Sequence, residues 1–192
     1  MRSAANPFTS AKASIPDLKP KHINVDRGVP FTRQAVSLGY TVLLYLHVLG
    51  AMAILGTGVG IAFFMLMAHL SRDAAFIAKT AGVVVLADLI FTATAVIVQP
   101  ITGYLLLKAS GISGIPIWVA ISLALYVAAG AFWLPVVWMQ ARMRDLAIEA
   151  VAKGAPLPPR YYTLFGLWFA FGFPGFGAVM AIVWLMVDKP GF

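Results

Sequence analysis

Four long, nearly unbroken apolar blocks organise the chain: 36–68, 76–107, 115–139 and 164–187. Each meets or exceeds the roughly 20 residues that a helix needs to cross about 30 Å of hydrocarbon. Blocks of this length read as membrane spans and not as elements of a soluble core. In lipid, backbone polar groups must find partners within their own segment, so such spans must be helices. The pattern predicts an all-α protein, a transmembrane four-helix bundle over 36–192 with a polar N-terminal extension over 1–35.

The polar segments agree with that division. The extension holds Pro7, Pro16, Pro20 and Pro30, six of the chain's 14 basic residues and no sustained apolar period. It cannot bury enough surface to fold alone, and with no apolar run near its start it is not a secretory signal. It reads as a flexible tail, or as one ordered along a partner or the lipid headgroups. Ser71-Arg72-Asp73 punctuates the first link, and 110–114 (SGISG) makes the second a tight turn. The third is longer. Arg142 to Lys153 reads as a helix projecting into water, with Glu149 and Lys153 at i,i+4 and Gly154 as its C′ residue, before Pro156, Pro158 and Pro159 stop it. Arg72-Asp73 precedes Gly82 by the interval at which Arg144-Asp145 precedes Gly154. That echo suggests either a duplicated helical hairpin or two links that cap helices on one membrane face.

Composition sharpens the class. The chain of 192 residues is 61% hydrophobic and 11% charged, against roughly 25% charged in soluble domains. A soluble enzyme is ruled out. With no cysteine there are no disulfides, thiolate metal sites or covalent haem attachment. The net charge of +7 fits topology signals and anionic lipid better than nucleic acid. Links 1–2 and 3–4 carry Arg72, Lys79, Arg142, Arg144, Lys153 and Arg160, which favours a cytoplasmic side for both. The basic tail, on the opposite side, argues the other way. No phosphate-cradling loop, paired-histidine zinc motif or Ser/His/Asp arrangement is present, and the sequence names no reaction.

Ionisable groups inside spans are costly and point to function by default. His47 lies about 10 Å below the tail-side end of the first span. Gly50, Ala51, Ile54 and Gly58 follow on its face, a groove of small residues that admits a neighbouring helix or a flat ligand. A neutral imidazole there suits metal ligation, as an axial ligand to haem iron, or a hydrogen bond across the interface. Asp88 sits deep in the second span and needs a proton or a partner, such as the Tyr126 hydroxyl or an inward-reaching Arg72 or Lys79. Thr92, Thr94 and Gln99 extend this polar character. Antiparallel packing returns Gln99 to the depth of His47, so the two could share a pocket. His69, about 33 Å further along the first helix, cannot share an iron with His47 and reads as a wetted interfacial residue, and His22 as solvated. Pro174 among the glycines of 171–177 is expected to kink the last helix. Trp133 and Trp138, flanking Pro135, read first as lipid-facing anchors.

Several runs carry a resemblance. They are 45–50 (YLHVLG), Phe91-Thr92 with 99–103 (QPITG), 133–138 (WLPVVW), 142–146 (RMRDL) and 184–190 (WLMVDKP). From about Tyr40 onward the chain resembles a family of small bacterial four-helix integral membrane proteins of unassigned function. That resemblance implies a multi-pass protein of the bacterial inner membrane. More distantly the layout is similar to HemJ and CopD-like membrane proteins, on His47, Pro174 and 187–190 (VDKP). HemJ proteins are haem-binding protoporphyrinogen oxidases, which implies haem b or another porphyrin at His47. The chain departs from them after Trp118, where Val119, Ala120, Ile121 and Ser122 stand in place of that family's His and Lys. The resemblance therefore implies a porphyrin-sized pocket more than the oxidase reaction.

Two functional readings follow. One is a haem- or porphyrin-binding protein with His47 as ligand and Gly50, Ala51, Gly58 and Gln99 around it. The other is a non-catalytic accessory or assembly subunit that meets membrane-protein partners, or a second copy, through small-residue helix faces. A channel or transporter is disfavoured by the scarcity of polar residues in the spans.

Overall fold

The structure, a computed structural model, describes residues 31–190, with side chains from Leu38 onward. The polar tail up to Pro30 and His22 lie outside the described residues. The chain forms α1 (Phe31–Ser71), α2 (Ala74–Ala87), a π-helical turn (Asp88–Thr92), α3 (Ala93–Ala109), α4 (Ile117–Ala152) and α5 (Pro159–Asp188). No strand occurs among the described residues. Because α2, the π turn and α3 run on without a break, four helical rods among the described residues are long and apolar enough to cross a membrane.

Two boundaries differ from the sequence expectation. The first helix begins at Phe31, directly after Pro30, and not at residue 36. The third does not end at Met139 with a separate water-exposed helix to follow, because α4 continues to Ala152. The reason is local: Met139-Gln140-Ala141-Arg142-Met143 is a run of good helix formers with no Gly or Pro to interrupt it. Its end is as expected. Gly154 takes a left-handed φ of 57°, and the N–H groups of Gly154 and Ala155 donate to Val151 O (3.1 Å) and Ala150 O (3.0 Å). That is the Schellman pairing of a helix C-terminus.

The helices form a ring in chain order. α1 packs on α2, the π turn and α3, α2 packs on α4, α4 on α5, and α5 closes against α1. The buried apolar cluster lies toward the two links. It joins Met65 and Ala68 of α1, Ile77 and Ala81 of α2, Met143 and Ala147 of α4, and Tyr161, Phe165 and Trp168 of α5.

In the first link Arg72 adopts a left-handed φ of 58°, and the Asp73 carboxylate accepts the Ala75 N–H at 2.8 Å, capping α2. Arg144 and Asp145 instead lie inside α4 and pair with each other at 2.8 Å. The two Arg-Asp pairs therefore occupy unlike places, one in a turn and one on a helix. Neither a duplicated hairpin nor a shared capping role accounts for the echo.

Candidate functional site

Among the described residues two polar clusters lie inside the bundle, one where the first and second rods meet and one around the second rod's Asp88. The first is at His47. Its Nδ1 lies 2.8 Å from the Thr102 Oγ1 of α3. That hydroxyl has a single proton, and it sits 2.9 Å from Val98 O and 3.1 Å from Gln99 O, both pure acceptors. We therefore assign the Thr102 proton to its own helix backbone and the Nδ1 proton to His47, which donates to Oγ1. Nε2 is left unprotonated, and among the described residues it has no hydrogen-bond partner. One turn earlier on α3, Gln99 Nε2 donates to the His47 backbone carbonyl at 2.8 Å.

This seam is close-fitting. A Cβ on Gly50 would lie 3.0 Å from the Gln99 amide nitrogen, and one on Gly103 would lie 3.3 Å from His47 Cε1. The structure thus brings His47, Gly50 and Gln99 together. Ala51 is half-buried on α1. Gly58, two turns further on, has open space where a side chain would stand. Beside the seam runs an apolar groove of about 260 Å³, lined among others by Leu46, Leu49, Gly50, Phe91 and Val98.

The second cluster surrounds Asp88, only 3% exposed. Its partners are not those expected. Tyr126 donates instead to the Val96 carbonyl, and neither Arg72 nor Lys79 forms an ion pair with it among the described residues. Trp133 Nε1 of α4 donates to Asp88 Oδ1 at 3.3 Å. Gln140, 1% exposed, bridges the rest. An indole N–H can only donate, so the Gln140 amide oxygen must face Trp168 Nε1 (3.0 Å), and its nitrogen then donates to Asp88 Oδ2 (3.1 Å). The chain Trp168→Gln140→Asp88←Trp133 ties two helices, α4 and α5, to the carboxyl of the second rod. Thr92, 5% exposed, is buried one turn beyond, and its hydroxyl has no hydrogen-bond partner among the described residues. Asp88 is separate from the His47 seam, and Thr94 is exposed.

His69 is not simply wetted. Its ring stacks on Phe165 at 3.6 Å between centroids, nearly parallel, and its Nδ1 lies 3.4 Å from the Tyr161 hydroxyl. No group of three or more His, Cys, Asp or Glu side chains converges on a metal-sized space among the described residues.

Sequence reasoning found His47, Asp88 and Gln99 because each is polar within an apolar block. It missed Thr102, Trp133, Gln140 and Trp168. Thr102 stands three residues after Gln99, on the same face, and that spacing was a usable signal. The tryptophans carried none, since an indole in a span most often faces lipid or headgroups.

The fold and these buried clusters define a multi-pass helical protein of the membrane, embedded in a lipid bilayer. The chain belongs to the family described as predicted integral membrane protein (DUF2269), which matches residues 41–190. No curated protein and no solved structure matches it.

Proposed function

We propose that this protein binds haem b or another porphyrin within the bilayer, with His47 as ligand to the metal. One observation carries the reading, the 2.8 Å contact of His47 Nδ1 with Thr102 Oγ1, assigned above as an Nδ1–H donor. Ligating histidines almost always donate their second ring N–H to a fixed acceptor, which sets the tautomer and aims the free nitrogen. His47 has that arrangement, with Nε2 left as a lone pair. When bound, an iron porphyrin would supply redox or gas-binding chemistry. The chain supplies the ligand, its orientation through Thr102 and apolar surroundings. Gln99 holds the His47 backbone, and it fills the space beside Gly50. A ring would therefore lie against the α1–α3 seam and its apolar groove, with open space at Gly58, and not between the helices. Among the described residues His47 is the one histidine in such an arrangement, so the chain would hold the metal through that side chain.

The expected result is a Soret band in gently purified protein that shifts on reduction with dithionite and is lost in His47→Ala. Thr102→Val should keep the ligand and weaken affinity by roughly 10- to 100-fold. Protein with no Soret band after haem is added, or a band unchanged in His47→Ala, overturns the reading.

A second reading is an accessory subunit of a larger membrane assembly. It is supported by Gly56 and Gly60, four apart on α1, each with open space where a Cβ would stand. Such small-residue spacing lets a helix from another chain approach closely. Native gels of the full chain and of a chain lacking residues before Phe31 test it. Migration as a small monomer in both cases overturns it.

For either reading we infer a bacterial inner-membrane setting with links 1–2 and 3–4 in the cytoplasm, supported by the basic residues those links carry. Because the chain has no cysteine, a single Cys introduced at Ala155 or at Ile112 reports sidedness. A membrane-impermeant maleimide added to intact cells should label Ile112→Cys and spare Ala155→Cys, and the reverse pattern inverts the topology.

A further inference from the structure

From the Asp88 cluster we infer a second site, independent of His47: a membrane-embedded proton-binding site formed by Asp88 and Thr92. Three observations combine. First, among the described residues no opposite charge pairs with the carboxyl. Lys79 on α2 and Arg142 on α4 make no ion pair with it, and Arg144 pairs with Asp145. The titratable groups on the neighbouring helices are engaged elsewhere: His47 with Thr102, His69 with Tyr161, and Tyr126 with the Val96 carbonyl.

Second, both oxygens face donors that cannot accept. Trp133 gives its N–H to Oδ1 and Gln140 gives its amide N–H to Oδ2, with Gln140 held in that orientation by Trp168. Neither can take a proton from the acid form. Third, Thr92 lies four residues on from Asp88 in the same π turn, and its buried hydroxyl has no partner among the described residues. A hydroxyl is both donor and acceptor, and Thr92 lies beside the carboxyl, so a turn of its side chain brings the two into hydrogen-bonding reach.

Together these groups accommodate two states of one carboxyl without moving a helix. Each carboxyl oxygen has two acceptor positions, so the Trp133 and Gln140 bonds persist in both. As the anion, Asp88 accepts from Trp133, Gln140 and the rotated Thr92 O–H. As the acid, it keeps the first two and donates its own O–H to Thr92 Oγ1. The ligand of the site is the proton itself, and Thr92 is the group that reverses its role. A metal cation fits poorly, because two of the neighbours turn N–H groups toward the carboxyl.

Infrared spectroscopy of protein reconstituted in phosphatidylcholine vesicles tests this. At neutral pH the wild type should show the C=O stretch of a protonated carboxyl, sensitive to deuterium exchange and lost in Asp88→Asn. Thr92→Val should retain that band and shift it to higher frequency, since the acid O–H then has no acceptor. Carboxyl labelling with dicyclohexylcarbodiimide, which adds to protonated carboxyls in apolar surroundings, needs no variant. The labelled peptide should be the one containing Asp88. A spectrum without such a band from acid to alkaline pH, or labelling confined to Asp73, Asp145 or Glu149, overturns the proposal. So does a band in Thr92→Val identical to the wild type.

Discussion

Gly50 and Gly58 lie two turns apart on α1, yet a methyl group added to each would meet different surroundings. At Gly50 it would press to 3.0 Å on the Gln99 amide nitrogen, which is held by its 2.8 Å bond to the His47 carbonyl. At Gly58 nothing lies within 4 Å. Gly58→Ala therefore gains helix propensity at no packing cost, up to about 1 kcal/mol. Gly50→Ala must lengthen or break the Gln99 bond, which offsets that gain by about 1 kcal/mol or more. Thermal unfolding in detergent should rank Gly58→Ala above the wild type and Gly50→Ala at or below it. The same residues show what a sequence can disclose. An ionisable or amide side chain in an apolar block is conspicuous, so His47, Asp88 and Gln99 were legible. Their partners were not, because Trp133 and Trp168 gain nothing from context until the helices are placed. Gln140 stood just past the end assigned to its span.

The buried positions of the second rod, Ile77, Ala81, Val84, Asp88, Thr92, Ala95, Gln99 and Thr102, are spaced as one stripe down a regular α-helix. The protein does not use them as one stripe. Asp88 meets Trp133 and Gln140 of α4, whereas Gln99 and Thr102 meet His47 of α1. The π turn between them explains the change of face. Each π-type bond, such as Ala93 N–H to Asp88 O, takes one more residue than an α-type bond. Everything beyond it is turned by about 100°, one residue's rotation, from the course of an uninterrupted helix. Nothing in the spacing announces such a turn, so this part of the fold was not readable. Deleting Ile90, exposed within the turn, should restore an α-helix and leave Gln99 and Thr102 facing His47. Deleting Ile97, exposed in regular α3, should rotate both away by about 100°. Detergent melting of the two deletions should differ, with only the second strongly destabilised. Loss of folding in both would argue against a re-aiming role for the π turn.

At the scale of the whole molecule, the unevenness of packing follows from the change of solvent along the helices. α4 has 36 residues, a length of about 54 Å, well beyond the hydrocarbon thickness of about 30 Å. Its charged residues all fall in the last third: Arg142, Arg144, Asp145 and Glu149. That end emerges toward the links, and there its buried residues form one stripe, Met139, Gln140, Met143, Leu146, Ala147 and Ala150, the pattern of an amphipathic helix in water. The apolar cluster sits against that stripe. Further into the span, Val127 is 72% and Phe173 65% exposed, and lipid covers them as well as a neighbouring helix would. Burial is concentrated where water would otherwise reach. The four spans and the polar link-side end were readable from hydropathy alone, but the site of close packing required knowing how far α4 continues. Truncations should follow this division. Met143→Ala and Ile77→Ala, both fully buried, should each cost about 2–4 kcal/mol. Val127→Ala and Phe173→Ala leave lipid to fill the space and should cost under about 1 kcal/mol. Reversible unfolding in mixed micelles measures all four. Equal losses at both ends would mean that the inner half is packed as tightly as the link-side half, and that solvent does not set the division.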